Sequence, residues 1–315
     1  MTFLTTPDGV RLRLCVRGTG SRPILLVHGW KMSHRVFDQA ILRLAPRHRV
    51  VAFDLRGMGE SDKPDGRYDF DELAGDLGHV IAELGIEDAT LVGWSMGCTV
   101  ALKYLQNGGA GIGRLALVNG PSRLARAADD SFPWTMSEET LERYFSEIER
   151  EWPTRERAFT IDSLYRPDPE LVETILALTR QTPLDVIMKV VREQAKLDFR
   201  NLLPRLELPV LAVYGRHDPF YPVELGEWIA EQCPRGESLI FEESAHFPFI
   251  EEQERFARVI ADFHATCLTA PLTGVDSRDN VRASSFMDAV NPSDPGDLAA
   301  RDTRPHEGTR GGIQR

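Results

Sequence analysis

The sequence predicts an α/β fold: a doubly wound, mostly parallel sheet with a helical insertion. Three observations lead there. Short unbroken apolar runs recur at 24–27, 50–53, 90–92, 115–118 and 210–213, the pattern of parallel strands buried on both faces. Segments of helical spacing at 70–84, 96–106, 223–232 and 253–267 alternate with such runs, as strand-helix-strand units require. Between 121 and 205 the alternation stops, and apolar residues recur at helical spacing alone.

Taken in order, residues 2–17 alternate apolar and polar around Pro7-Asp8-Gly9, which reads as an antiparallel hairpin at a sheet edge. The runs at 24–27 and 50–53 follow as core strands, then the helix at 70–84. The strand at 90–92 passes through Gly93-Trp94-Ser95-Met96-Gly97 into the helix at 96–106, and 115–118 returns as a strand. Three amphipathic helices are expected in the insertion, at 138–149, 170–180 and 186–195. The core resumes with the strand at 210–213, the helix at 223–232, a last strand at 238–241 and the final helix. This divides the chain into a first core part (1–120), a helical lid (121–205), a second core part (206–268) and a tail (269–315). The tail has no apolar period and many Asp, Arg, Pro, Gly and Ser residues, so disorder is expected there.

A formal charge of −11 (37 basic against 48 acidic residues) leaves no general basic surface for nucleic acid or an anionic membrane. No stretch approaches the roughly 20 apolar residues of a membrane span, and the first residues lack the features of a secretory signal. A cytoplasmic protein with a small-molecule partner is expected. Cys15, Cys98, Cys233 and Cys267 are too scattered for a zinc or CxxC motif, and no disulfide or metal site is expected.

The sharpest chemical signal is the Gly93–Gly97 motif at a strand-to-helix junction. An elbow there holds a serine in a backbone conformation that only small neighbours permit, and lifts the Ser95 hydroxyl clear of the sheet. The competing reading is an ordinary turn with a serine capping the helix. A serine hydroxyl needs a base and an orienting carboxylate. His246, in Ser244-Ala245-His246-Phe247-Pro248-Phe249 after the last strand, is the base. Asp218, in Tyr214-Gly215-Arg216-His217-Asp218-Pro219 after the strand at 210–213, is the acid; Asp185 and Asp198 are alternatives that follow no core strand. The order Ser95, Asp218, His246 is the one found when such a triad is built on an elbow. Two backbone amides would hold the tetrahedral oxyanion: Met96, after the nucleophile, and Trp30, in the loop His28-Gly29-Trp30. His28 reads as a structural residue of that loop. Trp134, Phe132, Tyr144 and Phe247 are expected to line the substrate pocket.

Together with Asp54-Leu55-Arg56-Gly57-Met58-Gly59-Glu60-Ser61-Asp62, these motifs resemble the α/β-hydrolase superfamily over roughly residues 8–267. Two branches are most similar. The GWSMG elbow, the segment 68–84 and Asp198-Phe199-Arg200-Asn201-Leu202-Leu203-Pro204 resemble the cofactor-free haloperoxidases and aryl esterases. That resemblance implies ester hydrolysis, with peracid formation as a side activity. Cys98 and Ala245 depart from that branch, where glycine is common at both places. The HGW loop and Ala245-His246-Phe247-Pro248-Phe249-Ile250 are similar to the pimeloyl-carrier-protein methyl ester esterases, which implies an acyl carrier protein as a partner.

The resulting expectation is a cofactor-free serine hydrolase that cleaves a small or medium apolar or aryl carboxylic ester through an acyl-enzyme. Thioester, lactone and carbon–carbon bond hydrolysis use the same groups and stay open. A non-catalytic ligand receptor on the same fold is the alternative from another class.

Overall fold

The structure, a computed structural model, describes residues 2–66, 68–128 and 130–266. The expected tail at 269–315 lies outside the described residues.

The first half of the chain forms β1 (Thr2–Thr5), β2 (Arg11–Arg17), β3 (Pro23–Val27), α1 (Asp38–Leu44), β4 (Arg49–Phe53), α2 (Phe70–Glu83), β5 (Ala89–Trp94), α3 (Met96–Gln106) and β6 (Ile112–Val118). The insertion holds two two-residue strands, β7 (Ala125–Arg126) and β8 (Met136–Ser137). Four helices follow, α4 (Glu138–Glu151), α5 (Glu156–Asp162), α6 (Pro169–Thr179) and α7 (Leu184–Gln194). The chain returns through β9 (Val210–Gly215), α8 (Val223–Gln232), β10 (Gly236–Phe241), α9 (Pro248–Glu251) and α10 (Gln253–Ala265).

The strands order as β1-β2-β4-β3-β5-β6-β9-β10. The β1–β2 and β2–β4 pairs are antiparallel and the others parallel. Side chains alternate between the two faces, as a pleated strand demands. Leu25, Val27, Val51, Phe53, Leu91, Leu115, Leu117, Val210 and Ala212 enter one apolar cluster with residues of α2, α3 and α8. Ile24, Leu26, Val50, Ala52, Val92, Ala116, Val118, Leu211 and Val213 enter another with residues of α1, α6 and α10. Strands β3, β5 and β9 are buried at every position, which is why their sequences read as unbroken apolar runs. The insertion has a small cluster of its own, centred on Leu141, Phe145, Ile187 and Val191, with Trp30 of the core packed against it.

Three differences from the sequence reading are instructive. The insertion contains the β7–β8 pair where only helices were expected. Helices α1 and α5 were not anticipated, because seven residues are too few to establish a period. Other helix ends move by one to two residues where a cap decides them. Asp168 accepts from Glu170 N and Leu171 N, and starts α6 at Pro169, a residue suited to the first helical turn.

The loop between β4 and α2 is pinned by charge. Arg56, buried, donates to both carboxylate oxygens of Asp76 on α2, at 2.7 and 2.6 Å, and reaches Asp8 at 3.0 Å. Replacing Arg56 with methionine would leave the Asp76 carboxylate buried without its partner. That should lower unfolding stability by about 3–5 kcal/mol, read as an earlier urea midpoint; a change near zero would show the pair to be dispensable.

Candidate active site

Strand β5 ends at Trp94, and Ser95 turns the chain into α3 with φ 54° and ψ −121°. For a residue other than glycine this is strained backbone. Ser95 stands at the helix N-cap without bonding its hydroxyl to the helix, so it is not a capping serine. Its own amide donates to Val118 O of β6 at 2.9 Å, and Cys98 N donates to Ser95 O at 2.9 Å. The hydroxyl is left half-buried and uncommitted to the helix below it. Close approach dictates two glycines. A Cβ on Gly97 would stand 2.2 Å from Val27 O, and one on Gly29 would stand 3.0 Å from the Ser95 Cβ. The elbow and the loop after β3 are therefore in direct contact.

Asp218 follows β9 and His246 follows β10, and the structure brings the two together. His246 Nδ1 lies 2.8 Å from Asp218 Oδ2. The Asp218 side chain is fully buried, and its other oxygen accepts from Phe220 N at 2.8 Å and Tyr221 N at 3.2 Å. A carboxylate accepts only, so a neutral His246 paired with it carries its hydrogen on Nδ1 and keeps its lone pair on Nε2. Asp185 and Asp198, the alternative acids, are instead engaged by Lys189 and Arg200. His217 stacks on Tyr165, with ring centroids 4.1 Å apart.

Several groups that position these residues escaped the sequence reading. Trp94 Nε1 donates to His246 O at 2.8 Å and its ring lies 5.3 Å from the imidazole, so the residue next to Ser95 touches the histidine. Asn119, fully buried after β6, donates to Ala245 O at 2.6 Å and accepts from Gly215 N at 2.9 Å. Glu251 accepts from Ala245 N and Phe247 N on either side of His246, and from Tyr165 N of the insertion. Burial pushes the Glu251 carboxyl up, against the pull of those three amides. Asparagine at a strand end and glutamate after a proline are ordinary residue types, and nothing in their spacing marks them.

The loop His28-Gly29-Trp30 is held from beneath. His28 is buried, its Nδ1 lies 2.8 Å from Gly29 O, and its Nε2 accepts from Leu55 N at 3.0 Å. Burial pushes His28 down to about 4 against the opposing pull of Asp54. From above, Trp30 Nε1 donates to Ile187 O of α7 at 2.9 Å. Met96 opens α3, where backbone N–H groups have no acceptor within the helix.

Of the expected pocket residues, Tyr144 packs with Trp30 and Trp152 around the insertion cluster. Phe132 meets Trp228 of α8 edge to face at 4.9 Å, and Trp134 lies tilted against the same ring at 5.8 Å. Phe247 is buried, with its ring 4.9 Å from Trp94 and 6.0 Å from Phe249, in the apolar cluster that includes α10. The rings beside His246 are those of Phe220 at 5.0 Å, Trp94 at 5.3 Å, Phe247 at 5.7 Å and Tyr221 at 6.0 Å. Among the described residues no three His, Cys, Asp or Glu side chains converge as a metal would require, and no helix is long and apolar enough to cross a membrane.

With elbow, acid and histidine placed after the parallel strands β5, β9 and β10, comparison with known proteins decides the family. The family model described as the alpha/beta hydrolase fold matches residues 22–253. The chain belongs to the α/β-hydrolase family. It is similar to the pimeloyl-acyl-carrier-protein methyl ester esterase of Vibrio campbellii, 27% identical over 247 residues, which covers 77% of this chain and 94% of that protein. Among solved structures it is similar to an esterase from Exiguobacterium antarcticum, at TM-score 0.79 and 27% identity, covering 84% of this chain and 99% of the other. It shares its fold with a bromoperoxidase from Bacillus anthracis, at TM-score 0.76 and 22% identity, covering 81% and 95%. A carrier-protein methyl ester esterase is thus among its relatives, and an esterase among its structural neighbours.

The buried His28 links this α/β-hydrolase's stability to pH. Its proton affinity is lower in the folded than in the unfolded chain, where a histidine takes a proton near 6.5, so its contribution is present above that value and is lost as pH falls toward about 4. Urea titrations of the wild type and His28→Gln should therefore show a gap in stability that narrows from about pH 7 to about pH 4.5. A gap of constant width would contradict the neutral, hydrogen-bonded His28.

Proposed function

We propose that this protein is a serine hydrolase of carboxylic esters, acting through an acyl-enzyme on a small or medium substrate with an apolar or aryl group. The 2.8 Å contact of His246 with buried Asp218, beside the strained Ser95 elbow, is the observation that carries this reading. Ser95 Oγ attacks the acyl carbon while its proton passes to His246 Nε2, and Asp218 keeps the imidazole oriented and stabilises its positive form. The amides of Trp30 and Met96 receive the tetrahedral oxyanion. His246 returns the proton to the leaving alcohol, and water repeats the sequence on the acyl-enzyme. No step draws on a cofactor.

The helices α4–α7 act in this reading as a lid, with Phe159 of α5 toward the reacting groups. Phe159 stacks on Phe220, which lies against His246. A second reading, a carrier-linked methyl ester as substrate, is favoured by the names of relatives such as the Vibrio campbellii enzyme. The arginines of the insertion weigh against a basic docking face. Arg150, Arg155 and Arg192 are paired with Glu151, Glu147 and Glu142.

The test is kcat/KM on p-nitrophenyl esters from acetyl to dodecanoyl. The wild type should show a chain-length optimum, and Ser95→Ala and Asp218→Asn should each lose about 10⁴-fold or more. Turnover that survives Ser95→Ala would overturn the assignment, and tight ligand binding without turnover in the wild type would favour a receptor.

A further inference from the structure

Lys31, the residue after Trp30, is strained, buried and tied to the insertion. Its φ of 55° is a conformation that a lysine keeps only where its surroundings hold it. Its side chain is 4% exposed, and Nζ lies 2.7 Å from Glu156 Oε2 at the start of α5, whose side chain is equally buried. The ammonium sits among aromatic rings, 4.0 Å from the centroid of Phe159, 4.6 Å from Trp30 and 5.7 Å from Trp152. Two more bonds reach the same two loop residues from the insertion: Thr182 Oγ1 donates to Lys31 O at 3.3 Å, and Trp30 Nε1 donates to Ile187 O at 2.9 Å.

The pair is an inefficient way to stabilise a fold. Taking two charges out of water carries a penalty that their attraction offsets only when every remaining polar atom is satisfied, and Glu156 Oε1 is buried without a partner among the described residues. Apolar side chains of similar size would hold the insertion on the core at least as well. The Lys31 and Glu156 side chains are both 4% exposed, so the pair offers almost no surface to a substrate. What it supplies, and apolar packing does not, is a directional link that sets where the loop backbone turns.

We propose that the Lys31–Glu156 pair is a positioning element, through which the insertion fixes the loop after β3 so that the Trp30 amide points to where the oxyanion forms. This rests on the serine-hydrolase reading above. The oxyanion exists only after attack, so displacing the amide weakens the transition state and leaves substrate binding nearly unchanged. Lys31 and Glu156 touch no reacting atom.

The experiment compares wild type, Lys31→Met, Glu156→Leu and the double variant. Each single change strands a buried charge without its partner and lowers stability; the double change replaces the pair with apolar volume in an aromatic surround and is the decisive protein. Its melting temperature should lie near that of the wild type. Its kcat should fall about 10- to 100-fold with KM within about threefold. Affinity for a boronic acid that forms a tetrahedral adduct on Ser95 should fall by the same factor, while affinity for the product carboxylic acid should not. A double variant that regains kcat together with its melting temperature would reduce the pair to a structural contact and overturn the proposal. Ser95→Ala, assayed beside it, separates the two levels: turnover there removes the underlying reading, whereas an inactive Ser95→Ala with a fully active double variant removes only the role of the pair.

Discussion

Holding one serine at φ 54° makes demands on three strands at once. Strain of this kind is on the order of 1–3 kcal/mol and persists only where the surroundings over-determine the backbone. Here they do so through main-chain contacts. Ser95 N is fixed by Val118 O, and Ser95 O by Cys98 N. Gly97 lies so close to Val27 O that no side chain fits between. These contacts need the ends of β3, β5 and β6 to finish level, which the parallel registers Val27 with Gly93 and Trp94 with Val118 provide. The apolar filling on both faces of the sheet is what keeps those registers, so the elbow depends on core residues far from any reacting atom.

The histidine comes from the other half of the chain and is brought in by buried polar groups. Asn119 ties the loop before His246 to the end of β9, Glu251 gathers the amides on either side of His246, and Asp218 is saturated by two amides and the imidazole. Each bond is made where little water can replace it, which gives such networks their directional authority. Satisfied groups of this kind select a single arrangement among the many that apolar packing alone would allow. The contrast with Glu156, one of whose oxygens is buried without a partner, marks the joint between core and insertion as one place where stability has been given up.

Much of this was legible in the sequence, and what was not follows a pattern. Core strands are readable because burial on both faces leaves only apolar residues. The elbow, Asp218 and His246 are readable because each directly follows a strand, so that strand order alone brings them to one edge. The helices α1 and α5 are too short to show a period. Lys31 and Glu156 are 125 residues apart, and a lysine in a loop or a glutamate opening a helix ordinarily faces water. Phe247 is ambiguous for a different reason: an aromatic ring beside a histidine reads the same in the sequence whether it lines a site or joins the core, and here it packs against both Trp94 and His246.

In the proposed mechanism, chemistry and selectivity are built from different parts of this α/β-hydrolase. Ser95, Asp218 and His246 hang from strand ends, whereas Tyr144, Trp152, Phe159 and Ile187 come from an insertion with a small core of its own. The two parts meet at Trp30, whose ring packs on the insertion cluster and whose indole nitrogen is held by Ile187 O, while its backbone belongs to the loop beside Ser95. A change that reshapes the insertion for another substrate also moves the support of that loop. In the proposed mechanism the amide of Trp30 stabilises the oxyanion, so substrate preference and catalytic rate share a residue and neither can drift far without the other. The sheet, which carries no such double duty, is free to retain its geometry among relatives whose sequences agree at little more than one position in four.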